Sequence, residues 1–130
     1  EVVRAKYSGI IFDTSILVEL FTRPALIDQL YERFSELKFY IPDTVYSELV
    51  ALSNKDTTKG RIAKTILERI HHDKMFIRVK SVHSETDKDL IQLAKENKYL
   101  IATTDRNVRR IARKENIKVM FIKGSMLYLT

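Results

Sequence analysis

The sequence contains no cysteine and no tryptophan, and it has only two prolines and three glycines in 130 residues. Without cysteine there is no disulfide framework and no thiolate metal site, and a cytoplasmic setting is expected. No stretch approaches the roughly 18 consecutive apolar residues that span a bilayer, and nothing reads as a signal peptide, so no membrane association is expected. The chain also lacks internal repeats, low-complexity runs and any linker. Scarce Gly and Pro beside abundant Lys, Arg and Glu would suit a protein from a thermophile.

What is present fits one globular domain over residues 1–130, with 45% hydrophobic and 31% charged residues. The net charge is +6 and the isoelectric point about 9.6, which points to a polyanionic partner, most often nucleic acid, or simply to a soluble basic surface.

Short apolar runs alternate with helical patterns. Strands are expected at Gly9–Phe12, Phe39–Ile41, Met75–Val79, Tyr99–Ala102 and Lys118–Ile122. Helices are expected at Thr14–Phe21, Ala25–Leu37, Pro42–Leu52, Gly60–His72, Asp87–Asn97 and Arg106–Lys114, with Ser53–Lys59 as a polar loop. Pro24 and Pro42 read as helix starts. This alternation predicts an α/β domain with a mainly parallel sheet, whose ligand sites lie beyond the carboxyl ends of the strands.

Acids recur at those ends. In "SGIIFDTSIL" Asp13 directly follows the first strand, and Asp105 follows Tyr99–Ala102 after Thr103 and Thr104. Either could simply cap the helix that follows. In "IPDTVYSELVAL" Val45, Leu49 and Leu52 share a helix face with Glu48, which places Glu48 at the packed side or its margin, where a salt bridge is the bland reading. In "HSETDKDLIQLAKEN" Asp87 precedes Leu90, Ile91 and Ala94 on the core-facing side of the first turn. Asp89 lies roughly 200° round the helix from Asp87 and is expected to face solvent or cap; Glu85 lies just before the helix. Four carboxylates gathered at one end of a sheet would repel each other, and protonation or a cation relieves the repulsion. Hard oxygen donors without Cys or His select Mg²⁺ or Mn²⁺ over Zn²⁺. Thr14, Ser15, Thr103 and Thr104 are placed to orient the carboxylates or hold bound waters.

A basic helix begins beside Asp105, where Arg106, Arg109, Arg110 and Arg113 recur at helical spacing opposite Val108, Ile111 and Ala112. Such a face can hold phosphates, or can be merely solvated. His71, His72 and His83 are read as non-catalytic, and "ENIK" and the tail "GSMLYLT" carry no identifiable chemistry.

"IIFDTSIL", "IPDTVYSELV", "TDKDLIQLAKENKYLIATTD" and "RIARKENIKVMFI" together resemble the PIN domain from about Ser8 to Ile122. The resemblance implies a three-layer α/β/α sandwich and a metal-dependent endoribonuclease. Its acids map onto Asp13, Glu48 of the Glu48-Leu49 pair, Asp87, and Asp105, which ends the signature that begins at Thr103. Asp13, Asp87 and Asp105 are then assigned to direct or water-mediated metal contact, and Glu48 is either a ligand or the group that positions water. The motifs look closer to ribosomal-RNA-processing PIN proteins of archaea and eukaryotes than to VapC-type toxins. The implied partners are single-stranded RNA, a pre-ribosomal particle or an antitoxin, and a second copy of the chain. A non-catalytic RNA- or protein-binding scaffold is the other class. A dehalogenase-like phosphatase would need a second acid at Ser15, and a receiver domain would need an acidic pair at the first strand end; "FDTS" has one acid.

Overall fold

The computed structural model describes residues 6–130. Six strands form one sheet in the order β3-β2-β1-β4-β5-β6. They are β1 (Gly9–Phe12), β2 (Lys38–Pro42), β3 (Phe76–Val79), β4 (Tyr99–Ala102), β5 (Val119–Lys123) and β6 (Met126–Leu129). The first five run parallel, and β6 turns back antiparallel to β5. The helices are α1 (Thr14–Thr22), α2 (Pro24–Phe34), α3 (Asp43–Ser53), α4 (Thr58–His72), α5 (Thr86–Asn97) and α6 (Arg106–Lys114).

The chain first moves outward from β1 through β2 to β3, then returns to the other side of β1 for β4 and β5. Right-handed crossovers put α1–α4 on one face and α5 and α6 on the other. The packing of α1 on α2 and α4, of α3 on α4, and of α5 on α6 agrees with that division. The expected three-layer sandwich is therefore the observed fold. No helix among the described residues is long and apolar enough to cross a membrane.

β1 is buried along its whole length, as its run of apolar residues requires between two helical layers. Its alternate side chains feed both layers. On the α1–α4 face Phe12 meets Phe39 edge-on at 5.5 Å, and Phe39 meets Phe76 at 5.3 Å. On the other face Tyr40 of β2 stacks on Tyr99 of β4 at 4.4 Å, reaching across Gly9. A Cβ at Gly9 would lie 2.4 Å from the Tyr40 ring, so the absence of a side chain there permits the stack.

Several boundaries differ from the sequence pattern. The helix expected over Ala25–Leu37 starts at Pro24 and stops at Phe34. Leu37 is nevertheless buried, so apolar periodicity outlasts the helix. Pro42 closes β2 and α3 begins at Asp43. α4 begins at Thr58, earlier than expected, because the Thr57 hydroxyl accepts from the Gly60 N–H at 3.0 Å. The tail, which carries no recognisable pattern, forms β6 after a turn in which Gly124 adopts φ +62°.

Gly60 sits where α4 passes the end of α3. A Cβ there would lie 2.1 Å from the Lys55 carbonyl oxygen and 2.8 Å from that of Leu52. Helix propensity alone would favour alanine by about 1 kcal/mol. The backbone clash outweighs it, so Gly60→Ala is expected to destabilise the protein by roughly 1–3 kcal/mol. Urea unfolding measures this, and a variant as stable as the parent would show that the contact is not made.

Candidate functional site

β1 and β4 lie side by side where the strand order reverses, and their carboxyl ends define a crevice. The backbone continues the pairing past the strands: Asp13 N–H donates to the Ala102 carbonyl at 2.9 Å, and Thr103 N–H to that of Met120 at 3.1 Å. Asp13 is thereby carried into the interior and is only 6% exposed. Its Oδ1 accepts from Thr14 N–H at 2.8 Å, so it does cap α1. Its Oδ2 accepts from the Thr103 hydroxyl at 2.7 Å and from that of Ser15 at 3.3 Å. Thr103 is fully buried and also accepts from Asp105 N–H at 3.0 Å. Thr104 joins through its backbone, which donates to the Ser15 hydroxyl at 3.2 Å.

Glu48 projects from α3 at the exposed mouth of the crevice. Two hydroxyls hold it: Thr14 donates to Oε1 at 2.5 Å and Thr86 to Oε2 at 2.6 Å. One carboxylate thus ties the first turn of α1 to the first turn of α5. Asp87, the next residue of α5, is half-buried and takes a hydrogen bond from the Asn107 side chain. The Asn107 carbonyl oxygen in turn accepts from the Arg110 guanidinium at 2.6 Å. Asp105 is exposed and caps α6, accepting from Asn107 and Val108 N–H at 2.7 and 3.2 Å.

Among the described residues none of these four carboxylates forms an ion pair, whereas Glu85 is paired with Lys88 at 3.2 Å. They do feel one another. Burial pushes the Asp13 carboxyl above its ordinary range, and the charge of Glu48 adds to the rise against the lowering effect of the Thr103 and Thr14 hydrogen bonds. Burial also raises Asp87, with Asp105, Glu48 and Glu85 contributing repulsion and the Asn107 hydrogen bond opposing it. Charge therefore couples Asp13 to Glu48, and Asp87 to both Glu48 and Asp105. The four are neighbours in field rather than in contact. Among the described residues no three Asp, Glu or His side chains converge closely enough to hold a metal ion by themselves. A hard divalent cation that retains several waters needs only one or two carboxylates directly, so an all-oxygen donor set with unpaired negative charge fits such an ion.

Asp89 overturns an expectation. It is fully buried and neither faces solvent nor caps. Its Oδ2 accepts from the hydroxyls of Thr44 (2.7 Å) and Ser81 (2.6 Å). Its Oδ1 accepts from the backbone N–H groups of Val82 (2.7 Å) and His83 (3.1 Å). The loop after β3 folds back over the first turn of α5 and covers the side that helical periodicity assigns to water. This hub fixes α5 against the start of α3, and so fixes Asp87 and Thr86 relative to Glu48. Thr44, Ser81, Thr86 and Asn107 also escaped the sequence reading, since single polar residues in loops and first turns carry no periodic signal.

The four arginines do not present one face to the acids. Arg106 and Arg110 are exposed beside the crevice. Arg109 is half-buried, with its guanidinium 4.7 Å from the centre of the Phe121 ring. Arg109 and Arg113 line a 330 Å³ cavity with Lys6, Lys118 and Thr130, at the amino ends of the strands and so opposite the acids. The four share one side of the helix, but Arg113 lies about 10 Å further along the axis than Arg106, so they cannot all reach one end.

The comparisons with known proteins agree with this architecture. A family profile described as a PIN domain matches residues 9–126. The solved structure of the PIN domain endonuclease Utp24 is similar, with a TM-score of 0.75 and 24% identity, covering 93% of this chain and 90% of that one. A domain of a functionally unknown protein from Methanocaldococcus jannaschii DSM 2661 is similar at a TM-score of 0.67 and 19% identity, covering 90% of this chain and 92% of that one. No curated protein matches the sequence.

Two stability effects are expected. Asp89→Ala strands four donors in the interior and should cost about 3 kcal/mol or more in urea unfolding; a loss under 1 kcal/mol would refute the hub. For Asp13 the sign is opposite. Its native carboxyl prefers the proton, so nothing is lost below the ordinary value of 3.8, and ionisation costs stability as pH rises through the raised native value. Asp13→Asn should therefore raise stability at pH 7 by about 0.5–2 kcal/mol. The gain should fade as pH drops towards the ordinary carboxylate range, and thermal melts across pH would show it.

Proposed function

This chain belongs to the PIN domain family, and on that premise we propose that it is a divalent-cation-dependent endoribonuclease acting in RNA processing, such as ribosomal RNA maturation, in the cytoplasm. Residues 1–130 are taken as one PIN domain. The observation that carries the reading is Asp13: a buried carboxylate with no cationic side chain beside it among the described residues, whose charged neighbour is Glu48. Burial of an unpaired charge is tolerated where it serves a ligand, and the ligand that relieves it is positive. The likeness to a PIN domain endonuclease supports the nuclease reading.

Asp13, Asp87 and Asp105 would hold Mg²⁺ or Mn²⁺, directly or through water. The ion, when bound, would neutralise the carboxylates and polarise a phosphodiester. The chain's own groups do the rest. Thr103 and Ser15 hold Asp13 in one orientation from the inside, and Thr14 and Thr86 hold Glu48 from both sides. That fixed carboxylate either completes the ion's shell or accepts a hydrogen bond from the water that attacks phosphorus. As the water oxygen bonds to phosphorus, its proton passes to a carboxylate or to solvent, and the bond to the leaving oxygen breaks. Arg106 and Arg110 stand beside the crevice to receive the flanking phosphates.

Incubation of single-stranded RNA with the protein in Mg²⁺, Mn²⁺ or EDTA tests this. Cleavage is expected with either metal and none in EDTA. Asp13→Asn and Asp87→Asn should abolish it, and Thr103→Val should lower kcat/KM by about 10–100-fold by freeing Asp13. Cleavage that persists in EDTA or in Asp13→Asn would refute the assignment, and RNA binding without any cleavage would identify a scaffold.

A further inference from the structure

Between α5 and α6 lies a groove of 460 Å³ whose walls are largely apolar and whose lining includes Asp87. Val82, Ile91 and Ile111 form the walls, His83 stands at the edge, and Gln92 lies along the rim. Nothing in the acid chemistry uses these side chains.

The wall is built rather than loose. Val82 is 50% exposed, the most exposed of the large apolar side chains among the described residues. An apolar residue held in water on a loop gains nothing from folding. Yet the Val82 and His83 N–H groups are both fastened to the fully buried Asp89 carboxylate. The His83 ring is fixed in turn, because its Nδ1 accepts from Glu85 N–H at 3.1 Å. His83 also lines a second cleft formed by polar residues, among them Glu48, Ser47 and Thr86. One imidazole thus lines both a cleft of polar residues that contains Glu48 and a groove with largely apolar walls that contains Asp87.

A nucleotide strand has this division: charged phosphates alternating with flat apolar bases. We propose that the groove is a subsite for an unpaired nucleobase adjoining the scissile phosphate, with His83 and Val82 packing on the base. The inference rests on the ribonuclease reading above. Asp87 and Glu96 also line the groove, and its one lysine, Lys88, is paired with Glu85 at 3.2 Å, so attraction for phosphates comes from the exposed Arg106 and Arg110 on α6 rather than from the groove itself. At the rim the Gln92 amide donates to Glu96 at 2.6 Å, leaving oxygen acceptors for amino groups on a base edge. Stacking and apolar contact recognise any base, so the slot demands a single strand more than a sequence.

The test is a mutant cycle between base and protein. A single abasic residue is moved along a short single-stranded RNA that the protein cleaves, and kcat/KM is measured in Mn²⁺. At the position that fills the groove, loss of the base should slow the wild type roughly tenfold. Val82→Ser, His83→Ala and Ile111→Ser should cleave intact RNA roughly tenfold more slowly, and removing that base should then cost nothing further. Val82 and His83 are exposed, so their variants carry little folding burden. Variants that cleave intact RNA at the wild-type rate, or base and side-chain effects that simply multiply, would overturn the subsite while leaving the ribonuclease intact. A wild type that cleaves no RNA would overturn both.

Discussion

The hydrogen bond from the Thr103 hydroxyl to Asp13 Oδ2 ties the carboxyl ends of β1 and β4 together at the point where the sheet changes direction. The two residues come from opposite ends of the chain, 90 positions apart. Their meeting requires the parallel register in which Phe12 lies beside Ala102. A slip by one residue would point Asp13 into a helical layer and Phe12 towards the crevice. Register, core and site are consequently a single constraint. The aromatic cluster of Phe12, Phe39 and Phe76, which starts one residue before Asp13, packs β1 against β2 and β3 and so holds the strand that carries the acid.

Two buried aspartates show how different a carboxylate's duty can be in one fold. Asp89 has four donors, two of them backbone N–H groups, and each of its oxygens is engaged twice. It has no spare capacity for a ligand and acts as a cross-link between α3, α5 and the loop after β3. Asp13 receives a backbone N–H and two hydroxyls, one of them long, while its charged neighbour is another acid. The first is satisfied by the protein, and the second is left wanting positive charge. Residue type and burial are nearly the same in both, so donors and neighbours decide the role.

The sequence reading was strongest where physics is local and periodic. The apolar strands and the helices between them give the layer order, and Asp13 and Asp105 could be placed by their position just past a strand. It failed where a side chain's surroundings come from distant segments. Asp89 reads as solvent-facing on a helical wheel because the wheel knows nothing of the loop that covers it. Thr86 and Asn107 gain meaning only once Glu48 and Asp87 are beside them. β6 was missed because four residues after a glycine turn carry too little pattern to stand out. The four arginines, at helical spacing in sequence, divide between opposite ends of the sheet because α6 runs down its length.

That division bears on how a polyanion would lie on the protein. Arg106 and Arg110 meet it beside the acids, whereas Arg109 is committed to Phe121 and opens with Arg113 onto the far cavity. The net positive charge is thus not concentrated over the carboxylates. A strand held by α6 would follow the helix axis, crossing the groove against α5 before it reaches Asp87. Attraction by the arginines and repulsion by the acids then act at different points along one path. On the proposed reading, such an arrangement would hold a phosphate chain at the rim and admit it to the crevice once a cation had neutralised the carboxylates. The acids that burial and mutual repulsion disfavour in the fold would thereby make entry to the site conditional on the ion.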